Sequence, residues 1–174
     1  MFSNKEVNNK LANMLVPYIL GHSVTLDGCL MGGNGISVGD CSVVCANSFL
    51  GQFVSIGNQS MLGVNTHVSA WSHVGNNVKI GNNVCIGESS LIEASVTICD
   101  DTILMNRIHI RKNTTVGEYS VICEGVSIGS NCFIEPGVII LSNVNIPDNT
   151  KIKSRTVVKE SGNAVWATPS QYLQ

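Results

Sequence analysis

Residues 74–92 read VGNNVKIGNNVCIGESSLI, in which Val74, Ile80, Ile86 and Ile92 recur at intervals of six and Gly75, Gly81 and Gly87 each follow one of them. The same step runs back through Val68, Leu62, Ile56, Leu50 and Val44 to Val38. It runs forward through Ile98, Leu104, Ile110, Val116, Ile122, Ile128, Ile134, Ile140, Ile146 and Ile152 to Val158, and every stop is aliphatic. Two places before each stop from Val44 onward stands a small or β-branched residue, as in Ser42, Ser48, Val54, Ser60, Thr66 and Ser72. Each hexad therefore reads as a small inward residue, a variable outward one, an aliphatic inward one and a three-residue turn. Alternation across three residues is the period of a strand. The turn places hold most of the 17 glycines together with Asn and Asp, the residues that accept left-handed backbone angles. A helix needs a period of about 3.6, and ordinary hairpins do not hold one spacing over such a length. The spacing predicts an all-β parallel solenoid in which each hexad contributes one short strand.

Ahead of Val38 the step weakens: Leu20 and Leu26 keep it and Gly32 breaks it. Ser3-Asn4-Lys5-Glu6 has the form of a helix capping box, and Val7, Leu11, Met14 and Leu15 follow at helical spacing until Pro17. The expected organisation is a short N-terminal helix or cap over 1–19, the solenoid over 20–159 and a tail over 160–174 carrying Trp166 and Tyr172. Each end segment is placed to cover an open end of the coil.

At 174 residues the chain has room for one domain. Charged residues make up 13%, about half the usual share, and 10 Lys+Arg against 12 Asp+Glu leave a net charge of −2. That balance supplies no positive field to gather a phosphate backbone, so a nucleic-acid partner is not expected. No run approaches the roughly 18 apolar residues of a membrane span, and no signal-cleavage pattern opens the chain, which points to a cytoplasmic protein without a membrane partner. The seven cysteines form an odd set without a C-x-x-C and read as reduced, packed residues, with no metal site expected of them.

The hexads of 74–92 and the run VSIGSNCFIEPGVIILSNVNIPDNTKI at 126–152 resemble the left-handed parallel β-helix hexapeptide acyltransferases. The resemblance covers residues from about 20 to 159. It implies a single-stranded left-handed parallel β-helix with three hexads to each triangular coil. Residues 38–158 would then make a prism roughly 32 Å long at about 4.8 Å per coil. Residues 124–160 are most similar to the nucleotide-aminosugar N-acetyltransferases. That similarity implies a transferase that uses acetyl-CoA as co-substrate and acylates an amine or hydroxyl of a small sugar-type acceptor. Two departures accompany it. Those enzymes carry an N-terminal Rossmann-like domain, which this chain is expected to lack: about 20 residues precede the coils, and Gly32-Gly33-Asn34-Gly35 is no dinucleotide fingerprint. Their catalytic His falls where this chain has Asn106. Asparagine cannot accept a proton near pH 7, and loss of a general base costs about 10²–10⁴ in rate, so activity requires another base.

With three hexads per coil the outward residues form three ladders. One runs Phe49, His67, Cys85, Ile103, Val121, Ile139, and its apolar character calls for a partner. A homotrimer packed on this ladder is expected, with coverage by the chain's own tail as the alternative. A second runs Val43, Met61, Lys79, Thr97, Thr115, Phe133, Lys151 and is solvated in its middle. The third runs Ser55, His73, Leu91, His109, Ser127, Asn145.

The corner between the first and third ladders stacks Phe53, Trp71, Ser89, Arg107 and Gly125 beside Gln52, Ala70, Glu88, Asn106, Glu124 and Ser142. Most side chains suited to chemistry collect there. His109, three residues beyond Asn106, is the nearest substitute base, with Glu124 or Glu88 to orient it. His73 and His67 are alternatives, and a protein with no catalytic histidine remains open. His67, Trp71 and Arg107 are the candidate acceptor contacts, and Gly125 is a place of close cofactor approach. Glu88, Arg107 and Glu124 read equally as a surface ion ladder. Lys151, Lys153, Arg155 and Lys159 crowd the last coil, either as a landing for the CoA 3′-phosphate or as a solvated edge. The family's closing Gly-x-Pro-Ala-Lys-like turn is here Ala167-Thr168-Pro169-Ser170-Gln171, which keeps the proline alone.

Two further classes stay open. The γ-type carbonic anhydrases share the coil and bind zinc between subunits through three histidines. His73 and His109 would stand about 9.6 Å apart on one subunit, whereas two Zn–N bonds of about 2.1 Å hold nitrogens within about 4 Å. The Gly-His-x4-His pattern is also missing, with Asn113 and Thr114 near its second histidine. The other class is a non-catalytic scaffold or assembly module that has kept the coil and lost the base.

Overall fold

The computed structural model describes residues 18–159. All regular structure in that span consists of two-residue strands, from Ile19–Leu20 to Val157–Val158. They form three eight-stranded parallel sheets, visited in turn by each coil. Sheet A begins with Ile19–Leu20, sheet B with Thr25–Leu26 and sheet C with Leu30–Met31. Each strand pairs with the strand one coil away in the same direction: His73 with Leu91 and Leu91 with His109 in sheet A, Lys79 with Thr97 in sheet B, Cys85 with Ile103 in sheet C. The chain is thus a parallel β-solenoid of eight turns, the architecture of the left-handed β-helix, and the three outward ladders read from the sequence are its three faces.

Local backbone preference and core packing agree throughout. The last residue of each three-residue corner is left-handed, as at Asn77 (φ 57°), Asn83 (φ 55°) and Asn113 (φ 59°). Such angles are cheapest for Gly, Asn and Asp, which explains the composition of the turn places. The inward aliphatic residues, from Val38 to Val158, are buried in one continuous core. The small inward residues close the other half of the interior, and their hydroxyls are bonded. Ser60 Oγ donates to the carbonyl of Gly75 at 2.8 Å and accepts the amide of Val78 at 3.1 Å. Thr114 Oγ1 does the same for Gly129 and Cys132, at 2.7 and 3.0 Å. No buried side-chain nitrogen or oxygen among the described residues is left without a partner.

The break at Gly32 has a structural cause. Leu30–Met31 pairs with Phe49–Leu50, so Met31, not residue 32, takes the inward place in the first coil. The link Asp27–Gly28–Cys29 between strands has three residues where the regular link has four, and the five residues 32–36 return the missing one before Ser37 pairs with Ser55. Gly32 lies under the ring of Phe49, which any side chain there would strike. Of the expected cap over 1–19, residues 1–17 lie outside the described residues and Ile19 opens the first strand; the expected tail over 160–174 also lies outside them, and no described helix is long and apolar enough to cross a membrane.

Candidate functional site

The corner joining sheet C to sheet A carries the chemistry read from the sequence. Its left-handed column runs Phe53, Trp71, Ser89, Arg107, with φ of 56°, 63°, 56° and 58°, and continues to Gly125 at 73°. Bulky residues in this conformation are outliers, and Phe53 and Trp71 are held there by each other: their rings stack at 4.2 Å. Beside them, Phe49 and His67 stack on sheet C at 4.7 Å. Above Trp71 the column narrows to Ser89 and opens a recess of about 220 Å³ lined by Glu88, Ser89, Asn106, Arg107 and Glu124.

Within this recess Arg107 Nη2 meets Glu124 Oε1 at 2.9 Å, with both side chains largely exposed. Asn106 is committed to the backbone, since its Oδ1 accepts the amide of Glu88 at 2.9 Å. Asn58 and Asn76 do the same for the residue one coil below, at 2.8 and 2.7 Å. Asn106 is therefore a rung of the corner in addition to standing where the resembled transferases place a histidine. The walls behind the recess are fixed by a hydroxyl staircase. Ser72 Oγ donates to Gly87 O at 2.9 Å and accepts the Ser90 amide at 3.2 Å, and Ser90 Oγ in turn accepts the Ile108 amide at 3.2 Å.

His109 faces outward from sheet A, but neither Glu124 nor Glu88 orients it. Its Nε2 lies 2.8 Å from Oε1 of Glu93, which belongs to the opposite corner of that sheet, and the Lys112 amide donates to Oε2 of the same carboxylate at 3.2 Å. The hydrogen bond from His109 is the largest influence holding the Glu93 carboxyl below its ordinary value. Both side chains are about one-third exposed, so the pair is open to a ligand. Sequence reading missed Glu93; the signal was its place at the end of the strand one coil below His109. His73 lies in the same ladder two rungs down, with Leu91 between. No three His, Cys, Asp or Glu side chains among the described residues converge as a metal-holding group. Cys85 adjoins His67 on sheet C, and burial pushes its thiol up, away from a nucleophilic thiolate.

The residues assigned to the cofactor divide between two corners. Gly125 ends the sheet C to sheet A corner, where any side chain would meet Asn143. Lys151 lies on sheet B, bound to Glu135 at 3.0 Å and over the Phe133 ring at 5.4 Å. Lys153 opens, and Arg155 closes, the corner from sheet B to sheet C. Sheet C separates the two groups, and its outward Ile103 (44% exposed) and Ile139 (37%) are open apolar surface.

Comparison of the fold with solved structures finds UDP-N-acetylglucosamine acyltransferases among its matches. The Francisella novicida UDP-N-acetylglucosamine acyltransferase has a TM-score of 0.78 at 20% identity over 83% of this chain and 60% of that one. The Bacteroides fragilis UDP-N-acetylglucosamine acyltransferase has 0.67 at 15% over 86% and 69%. The Moraxella catarrhalis UDP-N-acetylglucosamine O-acyltransferase has 0.62 at 17% over 84% and 70%. At these identities the likeness is one of fold, and the chain spans only 60% of the length of the Francisella enzyme. No curated protein sequence matches. Among sequence families, a profile described as the hexapeptide repeat of succinyl-transferase matches residues 27–52. A second, described as the GMPPB C-terminal domain, matches residues 64–162, the coils that hold Trp71, Glu93, Asn106, Arg107, His109 and Glu124. Since that match takes in more than half of the sequence and lies on the regular part of the solenoid, the chain belongs to the GMPPB C-terminal domain family.

Proposed function

We propose that this solenoid is an acyltransferase of the hexapeptide-repeat type, with acetyl-CoA as donor and an amine or hydroxyl of a sugar-type acceptor as nucleophile. The observation that carries the reading is the His109–Glu93 pair, an imidazole hydrogen-bonded at 2.8 Å to a carboxylate and still accessible. With Nε2–H donating to Glu93, Nδ1 keeps its lone pair and can take the acceptor's proton as nitrogen or oxygen attacks the thioester carbonyl. The tetrahedral intermediate then expels the thiolate of CoA, which recovers the proton from the imidazolium, while Glu93 stabilises the positive ring. The names of the three similar structures, all acting on UDP-N-acetylglucosamine, support a sugar-type acceptor.

The recess at Ser89 lies on the other edge of sheet A from Glu93, and Trp71, His67 and Arg107 around it are the acceptor contacts of this proposal. Gly125 and the group Lys151, Lys153, Arg155 flank sheet C from its two sides. A second copy packed on the apolar ladder of sheet C would bring one edge toward the other, which supports a homotrimer with the donor lying between subunits. The test is calorimetry with acetyl-CoA and CoA followed by a thiol-release assay with UDP-linked aminosugars. Micromolar donor binding and turnover that falls in His109→Ala support the reading, and absence of heat at millimolar donor refutes it. The second reading, a scaffold for assembly, is favoured by Asn106, whose side chain serves the corner where the resembled transferases place their base. No donor binding together with a stable oligomer would favour it.

A further inference from the structure

The corner from sheet B to sheet C contains a site of a different kind. Its left-handed column begins as an amide ladder: Asn65 Nδ2 donates to Asn83 Oδ1, and Asn83 Nδ2 to Asp101 Oδ1, each at 3.0 Å. One coil on the ladder ends at Tyr119, which keeps the left-handed angle (φ 56°) and is 64% exposed. The next rung is Gly137 (φ 72°), and the rung after it is Arg155 (φ 58°). Gly137 leaves one level of the column empty between a phenol ring and a guanidinium. The result is a recess of about 560 Å³ lined by Tyr119, Pro136, Gly137, Ser154 and Arg155.

The dimensions of that slot are set by the coil. Rungs repeat at about 4.8 Å, so a flat group at the level of Gly137 stands one rung from Tyr119 and one from Arg155. The chain demonstrates that one rung is a stacking distance, because Phe53 and Trp71 stack across it at 4.2 Å and Phe49 and His67 at 4.7 Å. Stacking on an aromatic face and beneath a guanidinium is how proteins hold a base without reading its sequence edges.

Charge narrows the ligand further. Arg107 is paired with Glu124, Arg111 with Asp148 and Lys151 with Glu135, but no carboxylate of the described residues pairs with Arg155. Glu135, next to the slot, is held by Lys151 and by the amide and hydroxyl of Ser154. Glu118 precedes Tyr119, so the slot is acidic at its lower end, beside Tyr119, and basic at its upper end, beside Arg155. The recess at Ser89 repeats the construction, with Trp71, a small residue and Arg107 on successive rungs, but Glu124 neutralises its cation.

We propose that the Tyr119–Gly137–Arg155 slot binds a purine nucleotide, the base lodged at Gly137 between the phenol and the guanidinium and the phosphate turned toward Arg155. The ligand's source is either a free adenine nucleotide or the adenosine 3′-phosphate end of CoA, and the site stands whether or not the chain transfers acyl groups. Titration of the full chain with AMP, with CoA and with UMP, followed by saturation-transfer NMR and calorimetry, tests it. The decisive variant is Gly137→Asn. Asn occupies the same left-handed column at Asn47, Asn65 and Asn83, and a Cβ at residue 137 meets nothing nearer than Arg155 Cγ at an ordinary 3.4 Å, so the slot fills while the coil is kept.

Expected are AMP binding with a Kd near or below about 1 mM and weaker UMP binding. Affinity should fall about tenfold in Gly137→Asn and in Tyr119→Asn, with a fall in melting temperature of no more than about 3 °C for Gly137→Asn and no change in AMP affinity on Trp71→Asn at the other corner. Binding of CoA but not AMP, with the same dependence on Gly137, supports the site and assigns it to the donor's adenosine end. Absence of binding by both AMP and CoA at about 10 mM, or affinity unchanged by Gly137→Asn, overturns the proposal. Loss of thiol release with AMP binding intact would remove the transferase reading and leave this one standing.

Discussion

Replacing Ser72 with Ala removes one oxygen from behind the recess and should show how the corner is held. That oxygen gives a hydrogen bond to the carbonyl of Gly87 at 2.9 Å and receives one from the amide of Ser90 at 3.2 Å; Ser72 is 1% and Ser90 2% exposed. Water does not reach the site, so the Ala variant leaves a buried N–H with no acceptor and a carbonyl short of a donor. One such orphaned group costs about 1–3 kcal/mol, while the lost hydroxyl leaves a gap smaller than a methyl group and adds little. A loss of about 2 kcal/mol corresponds to a fall of about 4–8 °C in melting temperature for a chain of this size. The assay is thermal unfolding followed by circular dichroism at one fixed protein concentration, since self-association would shift the midpoint. Ser72→Thr keeps the oxygen and is the control, because Thr114 makes the same pair of bonds elsewhere in the coil. Because Glu88 and Ser89, which lead directly into Ser90, form one wall of the recess, hydrogen exchange at the Ser90 amide should rise with the thermal loss. A midpoint within about 1 °C of the parent, or protection unchanged at Ser90, would refute the assignment of this hydroxyl as the partner of the Ser90 amide.

Glu93→Gln should lower transferase turnover by about tenfold and His109→Ala by about 10²–10⁴, read from thiol release under saturating donor; equal rates in all three proteins would remove the pair from the mechanism. Glu135 is held down to about 2 from an ordinary value of 4.5, first by Lys151 and then by Ser154, so its folded-state value is depressed. Its contribution to stability is complete above the unfolded value and is lost as pH falls toward about 2. The stability difference between the parent and Glu135→Gln should accordingly be present near pH 7 and shrink through that acid window, and a difference independent of pH would contradict it. Ile103→Lys combined with Ile139→Lys should convert a trimer to monomers in sedimentation while the circular dichroism spectrum is retained; a trimer that survives both charges places the contact elsewhere. Leu104→Ala, at a side chain 1% exposed, should cost about 2–5 kcal/mol in denaturant unfolding.

The solenoid was legible because its determinants are local and repeated. An aliphatic residue every sixth place and tolerant turn residues between them fix both the inward face and the corners, and with the three hexads per coil that the family resemblance implies, the regular register lets residues of one ladder be named. The first coil was less legible, because a corner one residue short is repaid by a loop one residue long, and a fixed ruler reads that as a break at Gly32 when Met31 has taken the place. The candidate site was legible as columns but not as pairs. Spacing put His109 in line with His73 and put Glu124 beside Arg107, and the second adjacency is an ion pair. It could not say that the imidazole joins Glu93 across the sheet, since that depends on side-chain rotamers reaching sixteen residues back along the chain. Nor could it say that Asn106 is held by the backbone of Glu88, because a turn Asn looks the same in sequence whether it bonds the coil below or faces solvent.

A repeat of this regularity also shows where it has been altered. The inward places are restricted to aliphatic and small residues by packing, and the left-handed corner place is restricted to Gly, Asn, Asp, Ser and similar residues by backbone energy. A large side chain at such a corner works against its own backbone preference and needs a neighbour or a ligand to offset the cost, which is of order 1–3 kcal/mol. Phe53 and Trp71 offset it by stacking on each other, and Arg107 by its ion pair with Glu124. Tyr119 and Arg155 carry the same backbone angle with neither a stacked ring nor an ion pair among the described residues, and they stand on either side of the one rung in their stretch of column that is glycine. On that reasoning the corner between sheets B and C, rather than the histidine face that the family resemblance brings forward, is where a small molecule would add most to the stability of the coil. Thermal unfolding in the presence of AMP measures that contribution directly.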